Sequence, residues 1–169
     1  MEESSKSIIK HIPDFLDYCK VEKDLSNNTR KNYQRYLNKF VVWLKKNDKE
    51  NIKPHQLSSD DIWKYRLFLS RNINPKTGKS LKKTTQNYYL IALRALLSYF
   101  STRDVVSLPV LKVSLPELKK EEKQPVNYLN LEQVKKLISL PNTKIESGLR
   151  DQVVLGILIS SGLKVRQLI

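Results

Sequence analysis

Leu81–Arg103 reads LKKTTQNYYLIALRALLSYFSTR. Ile91, Ala92, Ala95, Leu96, Tyr99 and Phe100 recur at spacings of three and four, the period of an amphipathic helix. The front of this helix carries Lys82, Lys83, Thr84, Thr85, Gln86 and Asn87. One end therefore suits contact with an anion and the other suits a core. The remaining chain supports this helix and adds a second unit behind it.

Charge extends that reading. Among 169 residues, 31 Lys and Arg face 17 Asp and Glu, a net charge of +14. Such an excess fits a polyanionic partner, because each phosphate neutralised releases condensed counterions. The charge is also segregated. Residues 62–103 hold nine basic residues and no acid, and residues 25–47 hold six and no acid. Cys19 is the single cysteine, which excludes an internal disulfide or a cysteine zinc site and fits a reducing cytoplasm. No apolar run reaches the 18 or so residues of a membrane span. No metal, cofactor or small-molecule substrate is indicated.

Taken in order, Ile8, Ile9, Ile12, Phe15, Leu16 and Cys19 predict a first helix ending near Val21, with Pro13 in its first turn and His11 as a helix-entry residue. Ser26 is the N-cap of a second helix to about Asn47, with Tyr33, Leu37, Phe40 and Leu44 facing inward. Its basic residues make either a solvated face or a DNA-facing one, where Asn28, Thr29, Lys31 and Arg35 reach phosphates. Ser58 caps a third helix to about Asn72, with Asp60 and Asp61 in its first turn and Trp63 expected in the core. Residues 74–80 form a basic turn whose GKS lacks the glycine spacing of a phosphate-binding loop.

On the fourth helix Lys83, Asn87 and Arg94 share one stripe, with Lys82 and Gln86 beside it. Asn and Gln can bond adenine, while Lys bonds guanine or phosphate. Residues 104–124, with two prolines and the run KKEEK, predict an extended linker. Asn130 and Gln133 form the capping box of a fifth helix. Residues 146–160 form a sixth, apolar almost all round and therefore expected to be buried. Gly162 is its C-cap, and a further turn follows from Val165.

These residues resemble a known family. Residues 25–33, LSNNTRKNY, are similar to the second-helix start of tyrosine recombinases, the phage-integrase and Xer group. Residues 83–88, KTTQNY, with Ala92-Leu93-Arg94, resemble their fourth helix. Residues 130–134, Arg150-Asp151 and residues 161–168, SGLKVRQL, resemble the opening of their catalytic domain. The resemblance implies an all-α fold: a four-helix SAM-like core-binding domain (1–104), a linker (105–127) and the N-terminal fragment of a catalytic domain (128–169). It implies double-stranded DNA as partner, a homo-oligomer on DNA, and DNA recombination or integration without a metal. In that family a tyrosine attacks a phosphodiester while arginines stabilise the charge. Lys164 stands at the family's first arginine position and offers a point charge in place of a bidentate fork. Gln167 replaces an acid. The second arginine, general acid and nucleophilic tyrosine are expected further on, so this chain is expected to bind DNA through Thr29, Lys31, Arg35, Lys82, Lys83, Gln86, Asn87 and Arg94 without cutting it. A non-catalytic DNA-binding accessory protein is the alternative.

Overall fold

The computed structural model describes residues 2–73, 78–116 and 128–168, and the basic turn at 74–77 and residues 117–127 lie outside them. Two units emerge, Met1–Lys120 and Glu121–Ile169.

The first unit holds α1 (Ile8–Val21), α2 (Asn27–Lys46), α3 (Ser59–Arg71) and α4 (Lys83–Thr102). Ser26 starts α2 by accepting a hydrogen bond from the Thr29 amide. Ser58 starts α3 in a reciprocal cap. Its hydroxyl accepts from the Asp61 amide, and the Asp61 carboxylate accepts from the Ser58 amide at 3.2 Å and hydroxyl at 2.9 Å. Asp61 is only 2 % exposed and also pairs with Lys49. Burial pushes its carboxyl up, but the Lys49 and Ser58 bonds outweigh it and hold the group below its ordinary range.

Apolar stripes close the unit. Leu37, Phe40 and Leu44 of α2 are buried with Leu90, Leu93, Leu96, Leu97 and Phe100 of α4 and with Ile12 and Phe15 of α1. Each such side chain contributes about 1.5–3 kcal/mol relative to exposure. Tyr33 of α2 meets the Phe15 ring, and Phe15 meets Tyr99 of α4. Tyr36 meets Tyr88 and Tyr89. Advancing along α2 therefore means going back along α4, and the two helices are antiparallel.

Three helices end on an aspartate in the left-handed region. Asp24, Asp48 and Asp104 take positive φ (45°, 55° and 54°), and the residue after each donates back into the last turn, as Leu25 to Cys19, Lys49 to Leu44 and Val105 to Phe100. This is the left-handed stop that glycine usually provides.

Several expectations change. Pro13 is the sixth residue of α1, not a first-turn residue. The apolar Ile8, Ile9 and Ile12 draw the helix backward, and Pro13 itself is exposed. His11 is buried within α1. It contacts Ser4 Oγ at 2.9 Å and meets the Phe100 ring edge-on. Burial, helped by nearby Lys6, pushes its pKa down, although Asp14 opposes this.

Trp63 is 55 % exposed, while Trp43 is buried. The buried positions of α3 are Asp61, Ile62, Tyr65 and Leu69, and one residue beyond Ile62 turns away from them. Ile91 is also exposed. Residues 105–116, the start of the expected linker, dock on the helices. Glu2 pairs with Asp104 and Val106 through two backbone hydrogen bonds, Val110–Lys112 form a 3-10 turn, and Val113 is buried. Apolar side chains at 105, 108, 110, 113 and 115 dock this segment on the helices.

The second unit holds α5 (Leu131–Ser139), α6 (Glu146–Ser161) and α7 (Val165–Leu168). Asn130 and Gln133 cap α5 reciprocally, and Gly162 ends α6 at φ 66°. Gly148 is buried against the Asn142 backbone. The expected burial of α6 is not found: Leu149, Val153, Ile157 and Ile159 are exposed. Within this unit α6, apolar all round, packs on α5, which covers one side of it.

Candidate nucleic-acid interface

Lys82 and Lys83 open α4, both exposed. No side chain caps this helix start and no acid lies in its first turn. The Lys83, Thr84 and Thr85 amides thus point outward beside two ammonium groups, an arrangement that favours an anion.

The two amides behind them are engaged. Gln86 Nε2 donates to the Leu81 carbonyl at 2.9 Å, and Asn87 Nδ2 donates to the Pro116 carbonyl at 3.4 Å. Asn87 Oδ1 is buried without a partner among the described residues. Asn87 thus holds the segment after α4 against the helix.

On α2, Arg35 donates to the Tyr36 hydroxyl at 3.2 Å and lies 5.0 Å from that ring's centre. Tyr36 stacks on Tyr88, so Arg35 joins the front half of α4. Thr29 instead serves the α2 cap, its hydroxyl 3.0 Å from that of Ser26. Lys31 lines a shallow cleft with Arg30, Gln34 and Asp17. With a rise of 1.5 Å per residue, the antiparallel packing sets Thr29 about 18 Å along the axis from Lys83. The expected residues thus spread along about 18 Å of the helix pair, with Arg35 between the start of α2 and the start of α4. Arg94 is half-buried on α4.

Unpaired cations are common among the described residues, Lys39, Lys45 and Lys46 of α2 included, and the candidate residues are among them. Among the described residues, Lys31, Arg35, Lys82, Lys83 and Arg94 form no ion pair, whereas Lys6, Lys49, Lys64, Arg103 and Arg150 each have a carboxylate. Sequence reasoning passed over Tyr36 and Tyr88; the signal for them was their place beside Arg35 and on the acid-free fourth helix.

In the second unit, Lys164 precedes α7, exposed, and its backbone N–H donates to Gln167 Oε1 at 2.9 Å. Gln167 thus serves as a helix-start cap, which a glutamine three residues on is placed to do.

Comparison with known proteins accords with this geometry. Residues 12–103 match the family described as phage integrase, N-terminal SAM-like domain. The N-terminal domain of a phage integrase/site-specific recombinase from Haloarcula marismortui superposes with a TM-score of 0.55 at 22 % identity, covering 68 % of this chain and 100 % of that one, which supports the all-α fold. Tyrosine recombinase XerD of Listeria innocua is 34 % identical over 94 % of this chain and 50 % of its own length. Tyrosine recombinase XerC of Syntrophus aciditrophicus is 31 % identical over 93 % and 49 %. The four-helix unit is thus a SAM-like integrase domain. The chain belongs to the tyrosine recombinase family, in its Xer-like group. It spans about half the length of the curated relatives it matches.

Proposed function

We propose that this chain is the DNA-binding portion of a site-specific tyrosine recombinase acting in DNA integration or recombination. Residues 1–104 supply the core-binding domain, extended by the docked segment to 116, and residues 128–169 begin the catalytic domain. The observation that carries this is the set of unpaired cations Arg35, Lys82 and Lys83 beside the uncapped start of α4, on an acid-free helix. The lysines and Arg35 grip phosphates of double-stranded DNA. Arg94, Thr29 and Lys31 extend the contact along α4 and α2, Gln86 adds base preference where its remaining polar atoms reach it, and Asn87 acts by holding the segment at Pro116 against the helix.

The chain binds without cutting. At the family's first arginine position Lys164 presents an exposed ammonium, which lacks the fork that holds two phosphate oxygens. Duplex affinity measured against salt tests the binding. Three phosphate contacts give a log–log slope of about −2.7 or steeper, and a slope near zero would refute it. A covalent adduct with a nicked duplex would refute the absence of cleavage.

A further inference from the structure

Phosphate contact leaves one feature of this surface unexplained. Tyr36 and Tyr88 lie parallel, with ring centres 5.9 Å apart and planes within 8°. Tyr36 is fixed from other sides. Tyr89 meets it edge-on at 5.4 Å, and the Arg35 guanidinium lies 5.0 Å from its centre. Tyr88 lies offset from Tyr36 and is 54 % exposed, so much of its ring is open. One turn along α4, Ile91 is 40 % exposed and extends the apolar shelf. No acid occurs on α2 or α4.

An exposed ring beside a tyrosine that carries Arg35, on two helices without an acid, fits a ligand that is flat and aromatic on one part and anionic on another. A nucleotide has that chemistry, and base–aromatic stacking tolerates any sequence because every base presents a π face. In paired duplex those faces are covered by neighbouring bases, so the ring needs a base that has left the stack.

We propose that Tyr88 is a stacking platform for an unpaired nucleobase of the DNA held by α2 and α4. This rests on the DNA-binding reading above and adds what the site takes besides duplex backbone: an unpaired base, as at a melted or mismatched position. Lys82, Lys83 and Arg35 hold the backbone while Tyr88 takes the base.

Fluorescence anisotropy of the full chain with a labelled mixed-sequence single strand, and with the same strand annealed to its complement, tests this. Tyr88→Ala is expected to weaken single-strand binding by about 5- to 150-fold, the range for loss of one base–aromatic stack. Duplex affinity is expected to stay within about twofold, and Tyr88→Phe to keep both affinities. A 2-aminopurine in the single strand is expected to lose fluorescence on binding to the parent and to Tyr88→Phe, but not to Tyr88→Ala. Circular dichroism of each variant checks that the helices persist. Unchanged single-strand affinity in Tyr88→Ala overturns the platform, as does an equal loss on duplex or an equal loss in Tyr88→Phe. Absence of duplex binding with Tyr88-dependent single-strand binding keeps the platform and removes the duplex reading.

Discussion

Replacing Lys82 and Lys83 together by alanine removes two exposed ammonium groups at the start of α4, where no acid of the first turn and no capping side chain competes for them. The local fold should be indifferent, since neither makes an ion pair among the described residues and both lie outside the buried core. Each phosphate contact releases about 0.9 counterion, so the double variant should reduce the log–log salt slope by about 1.8. With 1 M salt as the point where the two proteins converge, affinity should fall about 200-fold at 50 mM, about 60-fold at 100 mM and about 20-fold at 200 mM. The loss should be alike on unrelated sequences, because phosphates carry no sequence information directly. Anisotropy titrations at those salt concentrations, on two unrelated duplexes, read all three expectations. A deficit that stays constant with salt, or that appears on one sequence alone, would show that these lysines do not act through phosphates.

Other outcomes follow from the packing. Asp61→Ala strips the Ser58 cap and the buried partner of Lys49, and should destabilise the helical unit by about 2–4 kcal/mol in urea unfolding at neutral pH; a change under about 0.5 kcal/mol would mean the network is slack. Because the folded Asp61 pKa is depressed, its stabilisation is present above the unfolded value and is lost as pH falls through the folded one. The parent should therefore weaken below about pH 4, and the difference from Asp61→Ala should shrink there. Gly148→Ala places a methyl 2.1 Å from the Asn142 carbonyl oxygen, so the α5–α6 pair should open and become protease-sensitive while the helical unit melts unchanged. Asp48→Gly should stabilise by about 0.5–1 kcal/mol, since glycine takes the left-handed stop of α2 without strain; a lower melting temperature would contradict that.

Much of the fold was legible because local chemistry determines it. Ser26, Ser58 and the Asn130–Gln133 pair mark helix starts by hydrogen bonds made within three residues, and Gly162 marks an end by its conformation. The ends at Asp24, Asp48 and Asp104 carried no such signal, because aspartate is tolerated in the left-handed region without demanding it. Trp43 and Trp63 look alike in composition, and only the phase of each helix against its neighbours separates buried from exposed. Burial of α6 was inferred from its own apolarity, but burial also needs a covering surface. At the candidate site the basic residues were legible as a class. Their spread over about 18 Å, from Thr29 to Lys83, depends on the antiparallel pairing of α2 and α4, and no single helix records it. The engagement of Asn87 with Pro116 likewise joins residues 29 apart in sequence.

The backbone pairing of Glu2 with Asp104 and Val106 ties the strand that enters the helical unit to the one that leaves it. Tension applied at residue 2 and at residue 116 would first strip the docked segment and then load those two hydrogen bonds, in shear, before any helix is pulled from the bundle. The four helices thus hang from a common neck, and a bulky extension at residue 2 would press on the point where α4 gives way to the docked segment.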